Sequence, residues 1–170
     1  TRLHLIEGDL PAAQATIQKS AVDGSQIGLA HATLITPLYD CELTLAQAAY
    51  EQTVSRADQF ITAIERSGGR VCLADAYFYK GQALLAQGEI EAAYQALTHA
   101  QTIASDLGAI RIVWRILAAL AEVENERGNE EIATELRDEA RTALDTIIKH
   151  IPEGELRTSF MTLPEVKATI

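Results

Sequence analysis

The stretch AQGEIEAAYQALTHA, Ala86 to Ala100, decides the fold. Gly88 separates two alanine-rich apolar runs, and Ala93, Leu97 and Ala100 follow at helical spacing. Glycine tolerates the left-handed backbone that ends a helix. An acidic residue behind it favours the start of the next helix. A small residue at Ala93 then lets the second helix press against the first. The stretch reads as the elbow of a helix hairpin.

The elbow recurs. EGDLPAA at Glu7 to Ala13 and RGNEEIA at Arg127 to Ala133 repeat glycine, a polar or acidic residue, and alanine five positions past the glycine. A degraded copy, CELTLAQAA at Cys41 to Ala49, aligns with Thr44 in the glycine place and Ala49 in the alanine place. The elbows then fall at Gly8, Thr44, Gly88 and Gly128, spaced by 36, 44 and 40 residues. Breaks of a second kind alternate with them, VDGSQ from Val22, RSGGR from Arg66 and SDLGA from Ser105. Apolar residues inside the segments recur three or four apart, as in Ile132, Leu136, Ala140, Leu144, Ile147 and Ile151. No alternating run suggests a strand. The pattern predicts seven main helices, over 9–23, 26–42, 44–67, 70–87, 89–107, 109–127 and 129–150. Residues 1–7 read as the remnant of a further helix. Pro37 is expected to kink or shorten its helix, and Pro152 to reset the chain before one or two short capping helices.

Composition agrees with packed helices. Hydrophobic residues make up 48% of the 170, enough for a core, and aromatics only 5%. The formal net charge of −10 argues against a general grip on nucleic acid, which needs a basic footprint. No apolar run reaches the roughly 18 residues of a membrane span, and no signal peptide is visible. The chain opens on Thr1 and its one methionine is Met161, which reads as a piece trimmed from a longer protein. Cys41 and Cys72 are placed at opposite ends of neighbouring helices, which disfavours a disulfide and fits a cytoplasmic protein.

From Tyr77 to Ser105 the chain resembles a tetratricopeptide repeat: Tyr77 in the large aromatic place, Gly81 as the close-packing glycine, Leu84, the turn at Gly88, then Ala93, Leu97 and Ala100. The last unit matches in Leu117, Leu120, Gly128, Ala133 and Ala140, and departs at Ala121 and Arg137. The period of about 40 exceeds the roughly 34 of the standard repeat and looks more like the variant in large bacterial signalling regulators. The tail IPEGELRTSFMTLPEV is similar to the ends of such proteins. The resemblance implies an all-α, right-handed superhelix of antiparallel helix hairpins, an α-solenoid over residues 1–151, with 152–170 as its cap and tail. It implies further that the first helix of each hairpin lines an inner face. Carried over place by place, that face holds His31, Leu34 and Leu38, then Asp75, Phe78, Tyr79 and Gln82, then Arg115, Ala118 and Glu122, with Arg111 one turn before Arg115.

Reactive centres are hard to find. His4, His31, His99 and His150 are scattered without a metal-type pair. SGGR at Ser67 to Arg70 lacks the lysine and preceding strand of a phosphate loop and reads as a turn. ENERGNEE at Glu124 to Glu131 reads as a solvated turn ahead of cation binding. No catalytic set, cofactor site or metal site is expected. Binding is the better candidate: Phe78 or Tyr79 beside Arg115 would suit a peptide, the ring giving area and the guanidinium pairing a carboxylate. Both rings also read as core filler, the favoured reading at Phe78 and an even one at Tyr79. Trp114 reads as packing ahead of a sugar platform. The expected function is a protein- or peptide-binding module of a larger bacterial regulator, whose partner could be an ATPase or other module of the same parent chain. A sugar-like effector sensor and a self-associating structural module, compatible with a homodimer, are the alternatives.

Overall fold

The breaks in the sequence become left-handed residues. Among the described residues, positive φ occurs just past a helix end at Gly8, Ala48, Gly68, Gly88, Gly108 and Gly128, positions separated by multiples of 20. Cys72 and Gly154 share that half of backbone space and precede helices instead. At Gly88, the Glu89 N–H donates to the Leu84 carbonyl (2.9 Å) and the Gly88 N–H to that of Leu85 (2.9 Å), which satisfies two of the carbonyls a helix end leaves open. The same pair of bonds closes the turns at Gly128 and Ala48.

The computed structural model describes residues 2–27, 30–70 and 72–170, the side chains at 2, 3, 21, 23–27 and 30–34 excepted. It is all-α, with no strand among the described residues. The helices are α1 (Arg2–Ile6), α2 (Leu10–Ile27), α3 (Ala30–Ala46), α4 (Tyr50–Arg66), α5 (Leu73–Ala86), α6 (Ile90–Asp106), α7 (Ile110–Glu126), α8 (Glu130–His150), α9 (Glu155–Met161) and α10 (Pro164–Thr169). None is long and apolar enough to cross a membrane. Consecutive helices joined by short turns pack against each other as hairpins. The first helices of the hairpins, α1, α3, α5 and α7, also touch in succession, and α2, α4 and α6 each pack against the hairpin that follows.

Three expectations are corrected here. The second elbow lies at Ala48, not Thr44, so the hairpin elbows at 8, 48, 88 and 128 recur every 40 residues. Alanine holds φ 55 there, a conformation that costs an L-residue about 1–2 kcal/mol. Thr44 has another task. It is buried, and its hydroxyl accepts from the Thr53 hydroxyl (3.0 Å) while donating to the Asp40 carbonyl (3.0 Å). Thr53, not Ala49, is therefore the equivalent of Ala13, Ala93 and Ala133, and a hydroxyl pair replaces the bare alanine contact. The break expected around Gly24 does not occur, because α2 continues through Ile27. Nor does Pro37 shorten its helix: α3 has 17 residues, as do α4, α6 and α7.

Side-chain capping is sparse. Asp9 accepts from the Ala12 N–H (3.0 Å) at the start of α2. Glu89 and Asn129 make no such bond. Asn129 instead donates to the buried Glu124 carboxylate (2.6 Å), which also pairs with Arg127 (2.9 Å). Arg127 reaches back to Glu91 (3.0 Å) and lies 4.1 Å over the Tyr94 ring, tying the α7–α8 hairpin to α6.

The main core runs from α3 to α7 and includes Cys41, Phe60, Ile64, Phe78, Leu97, Ile112, Ile116 and Val123. A second cluster forms where Trp114 meets Leu144, Ile148 and Val166. Val166 is fully buried and anchors α10 there, against Trp114 of α7 and Leu144 and Ile148 of α8. A third cluster, Ala13, Ile17 and Leu43, joins α2 to α3. The approach of α5 to α6 depends on Gly81, where a Cβ would stand 2.5 Å from Leu97 Cγ. Cys41 and Cys72 are both buried and free.

Candidate functional site

Helix periodicity puts every third or fourth residue of α7 on one face. Trp114, Arg115, Ala118 and Glu122 share such a face and form one wall of a groove of about 420 Å³. Helix α5 supplies Phe78, Tyr79 and Gln82, α3 supplies Glu42, Leu45 and Ala46, and α1 supplies Leu5 and Ile6. Helix α10 closes one side with Pro164, Glu165 and Ala168. Among the described residues, the second helices of the hairpins, α2, α4, α6 and α8, contribute nothing to this lining. Alanines at 46, 118, 119 and 168 keep the walls short, which is why a hollow remains between packed helices.

The expected inward residues divide. Phe78, Tyr79, Gln82, Arg115, Ala118 and Glu122 come together in the groove. The rings are not the exposed anchors considered from sequence. Phe78 is 1% and Tyr79 4% exposed, and they meet edge to face with centroids 5.4 Å apart. The Arg115 guanidinium lies 4.7 Å over the Phe78 ring and 5.9 Å from that of Tyr79, so cation–π attraction holds the arginine down as the groove floor. Trp114 touches the same groove but is 5% exposed and packs into the α8–α10 cluster, a packing residue first.

Asp75 and Arg111 are not in the groove lining. They form a two-pronged pair between α5 and α7, Nη1 to Oδ1 at 2.8 Å and Nη2 to Oδ2 at 2.6 Å. Asp75 is buried, and its hydrogen bonds hold the Arg111 guanidinium above its already high ordinary value. The pair joins successive hairpins and uses up both charges. His31 and Leu34 lie outside the residues whose side chains are described. Leu38 is buried in the main core.

Glu42 was missed, and its signal was available. Positions 42, 82 and 122 are 40 residues apart, so Glu42, Gln82 and Glu122 occupy one place in three successive hairpins and all line the groove. The alignment through Thr44 shifted that register by four residues, about one helical turn. It selected Leu38 where Glu42 belongs.

Among the described residues, the charged side chains in the groove lining are Glu42, Arg115, Glu122 and Glu165. Glu122 faces open space yet has protein walls around it. That loss of water pushes its carboxyl above the ordinary value, and Arg137 opposes the rise.

The remaining histidines and thiols are accounted for locally. His99 stacks on Tyr77 at 5.2 Å, His150 sits 2.7 Å from the Thr146 carbonyl, and His4 is 3.4 Å from the Thr16 hydroxyl. Among the described residues, no group of three or more His, Cys, Asp or Glu is placed to hold a metal. Burial pushes the Cys41 thiol up to about 12, with Asp40 adding to the rise. No protein-family model, curated protein or solved structure matches this chain.

Proposed function

We propose that the chain is a superhelical array of tetratricopeptide-like hairpins that binds a peptide segment in the groove, as the cytoplasmic interaction module of a larger bacterial regulator. One observation carries this reading: among the described residues, the groove is walled by the first helix of every hairpin and by α10, and by the second helix of none of the four hairpins. Residues from α1, α3, α5 and α7 make a surface that runs across the array, and a segment laid across it meets each hairpin in turn. The polar groups are spread over four helices and do not converge on one point, which suits an extended partner better than a reaction centre. Binding across several hairpins would stiffen them together and bias a neighbouring module of the parent chain.

A small-molecule effector is the second reading. The volume of 420 Å³ lies within the roughly 300–1,000 Å³ of ordinary ligand pockets. Ala118→Trp fills the groove from α7 and serves both readings. A displayed peptide library selected on the wild-type chain should yield binders that lose at least about tenfold affinity, roughly 1.4 kcal/mol, on the Ala118→Trp variant. Thermal-shift screening of sugars and related effectors covers the small-molecule alternative. Selected peptides that hold the variant as tightly as the wild type, or no selection above background, would refute the groove as a peptide site.

A further inference from the structure

The tail joins the array differently from the hairpins. Helix α8 runs for 21 residues where α4, α6 and α7 have 17. The place held by Gly68 and Gly108 in the two preceding units is Ile148 here, which stays helical and is buried. The chain turns later, through Ile151 in extended backbone (φ −86°, ψ 121°), Pro152 and Gly154 (φ 142°, ψ −163°). That last conformation is open almost to glycine alone. A Cβ at Gly154 would meet nothing within 4 Å, so a side chain there acts through backbone strain.

Beyond this hinge the hold is slight. Among the described residues, none of α9 is buried, and of α10 Val166 is. Phe160 and Leu163 pack partly buried against the Trp114 cluster, and Arg141 of α8 donates to the Thr169 carbonyl (3.1 Å). Leu156 and Met161 are exposed. Isolated helices shorter than about 12 residues do not hold in water. Helix α9 has 7 residues and α10 has 6, so both keep their form only while docked. Opening such a terminus costs far less than unfolding the core. Yet α10 is part of the groove. Pro164, Glu165 and Ala168 line it, while Val166 packs on Trp114, which lines it too.

We propose that residues 155–170 form a latch on the groove. Docked, α10 narrows the groove on one side and shields Trp114. Released about Gly154, it takes its lining residues away and bares Trp114 and the adjoining face of α7. A partner that uses this side of the groove competes with α10, so groove occupancy and tail position are coupled. That coupling rests on the peptide-groove reading above; the latch itself does not.

The test uses the whole chain as wild type, Gly154→Ala and Val166→Ala. Gly154→Ala strains the hinge and touches neither Trp114 nor the groove; Val166→Ala trims the anchor. Three measurements report: amide hydrogen exchange, acrylamide quenching of Trp114, the chain's one tryptophan, and fluorescein-maleimide labelling of Ala118→Cys introduced into each protein. Labelling without the added thiol gives the background from Cys41 and Cys72, both buried. In wild type, amides of 165–170 should exchange at least about tenfold faster than those of α7. Each variant should speed that exchange and the Ala118→Cys labelling at least about fivefold, and increase the quenching, with α5–α7 exchange unchanged. If 165–170 exchange no faster than α7, or neither variant speeds them, α10 belongs to the core and the latch is wrong. If the tail opens while Trp114 and Ala118→Cys stay shielded, it frays without gating anything; the latch is again wrong and the groove reading stands. If all three measurements move as expected and the library selection yields no binder, the latch stands and the peptide reading fails.

Discussion

Replacing Gly81 by alanine tests how closely α5 and α6 are drawn together. The added methyl would stand 2.5 Å from Leu97 Cγ, 2.8 Å from Cδ2 and 3.4 Å from the Ala93 carbonyl oxygen. Comfortable carbon–carbon contact needs about 3.5–4.0 Å. Leu97 cannot swing away, because it is fully buried and Cγ lies near its root. The helices must therefore part or Leu97 must leave its rotamer, an overpacking cost of about 2–3 kcal/mol. Alanine returns about 1 kcal/mol of helix propensity. The net loss is about 1–2 kcal/mol, a fall of about 2–8 °C in melting temperature for a chain of this size. Leu97→Ala alone should cost about 3 kcal/mol by opening a cavity. In the double variant the new methyl occupies part of that cavity, so the combined loss should be at least about 1 kcal/mol below the sum of the single losses. Urea unfolding of the four proteins gives the cycle. A neutral or stabilising Gly81→Ala, or strict additivity, would refute the close approach.

Arg111→Ala leaves the buried Asp75 carboxylate without its partner. The expected loss is about 2 kcal/mol, below the roughly 3–5 kcal/mol of a fully buried pair because the Arg111 side chain is 61% exposed. Arg111→Lys should recover only part of it, since an ammonium cannot make the two-pronged contact; a urea midpoint unchanged in Arg111→Ala would count against the pair as a tie between hairpins. The raised Glu122 pKa means that the folded state holds this proton more tightly than the unfolded chain does. Its ionisation therefore erodes stability as pH rises from the unfolded towards the folded pKa, so Glu122→Gln should melt higher than wild type at about pH 7 and converge with it below about pH 4. Melting curves that differ in the opposite sense would contradict the desolvated carboxylate. Cys41, pushed up to about 12, and the buried Cys72 should resist a thiol reagent at mildly alkaline pH until denaturant is added. Rapid labelling of Cys41 in the native protein would show that the α3–α5 core opens.

Much of the helical order was legible before any coordinate. The main helices fall close to their expected bounds from α5 onward, because nearly every end carries a glycine and each body a three-to-four apolar rhythm, whereas α4 starts at Tyr50 and not at the expected 44. Departures came where a local signal was missing or misleading. Ala48 holds a left-handed turn without glycine, so the elbow was sought at Thr44 and the register of the second hairpin slipped by one turn. Gly24 looked like a break, but a lone glycine weakens a helix by only about 1 kcal/mol and neighbouring packing can carry it through.

The sequence by itself determined that the chain is helical and that its elbows recur, consequences of backbone preference and periodicity, which act over a few residues. That Phe78, Tyr79, Gln82, Arg115 and Glu122 share one face was an expectation carried over from the resemblance to tetratricopeptide repeats. Only the tertiary structure decided that Asp75 and Arg111 spend their charges on each other, that Arg115 lies over the aromatic rings, and that α10 closes the groove beside Glu42 and Glu122. Such pairings join residues tens of positions apart, and their geometry depends on how tightly neighbouring hairpins approach.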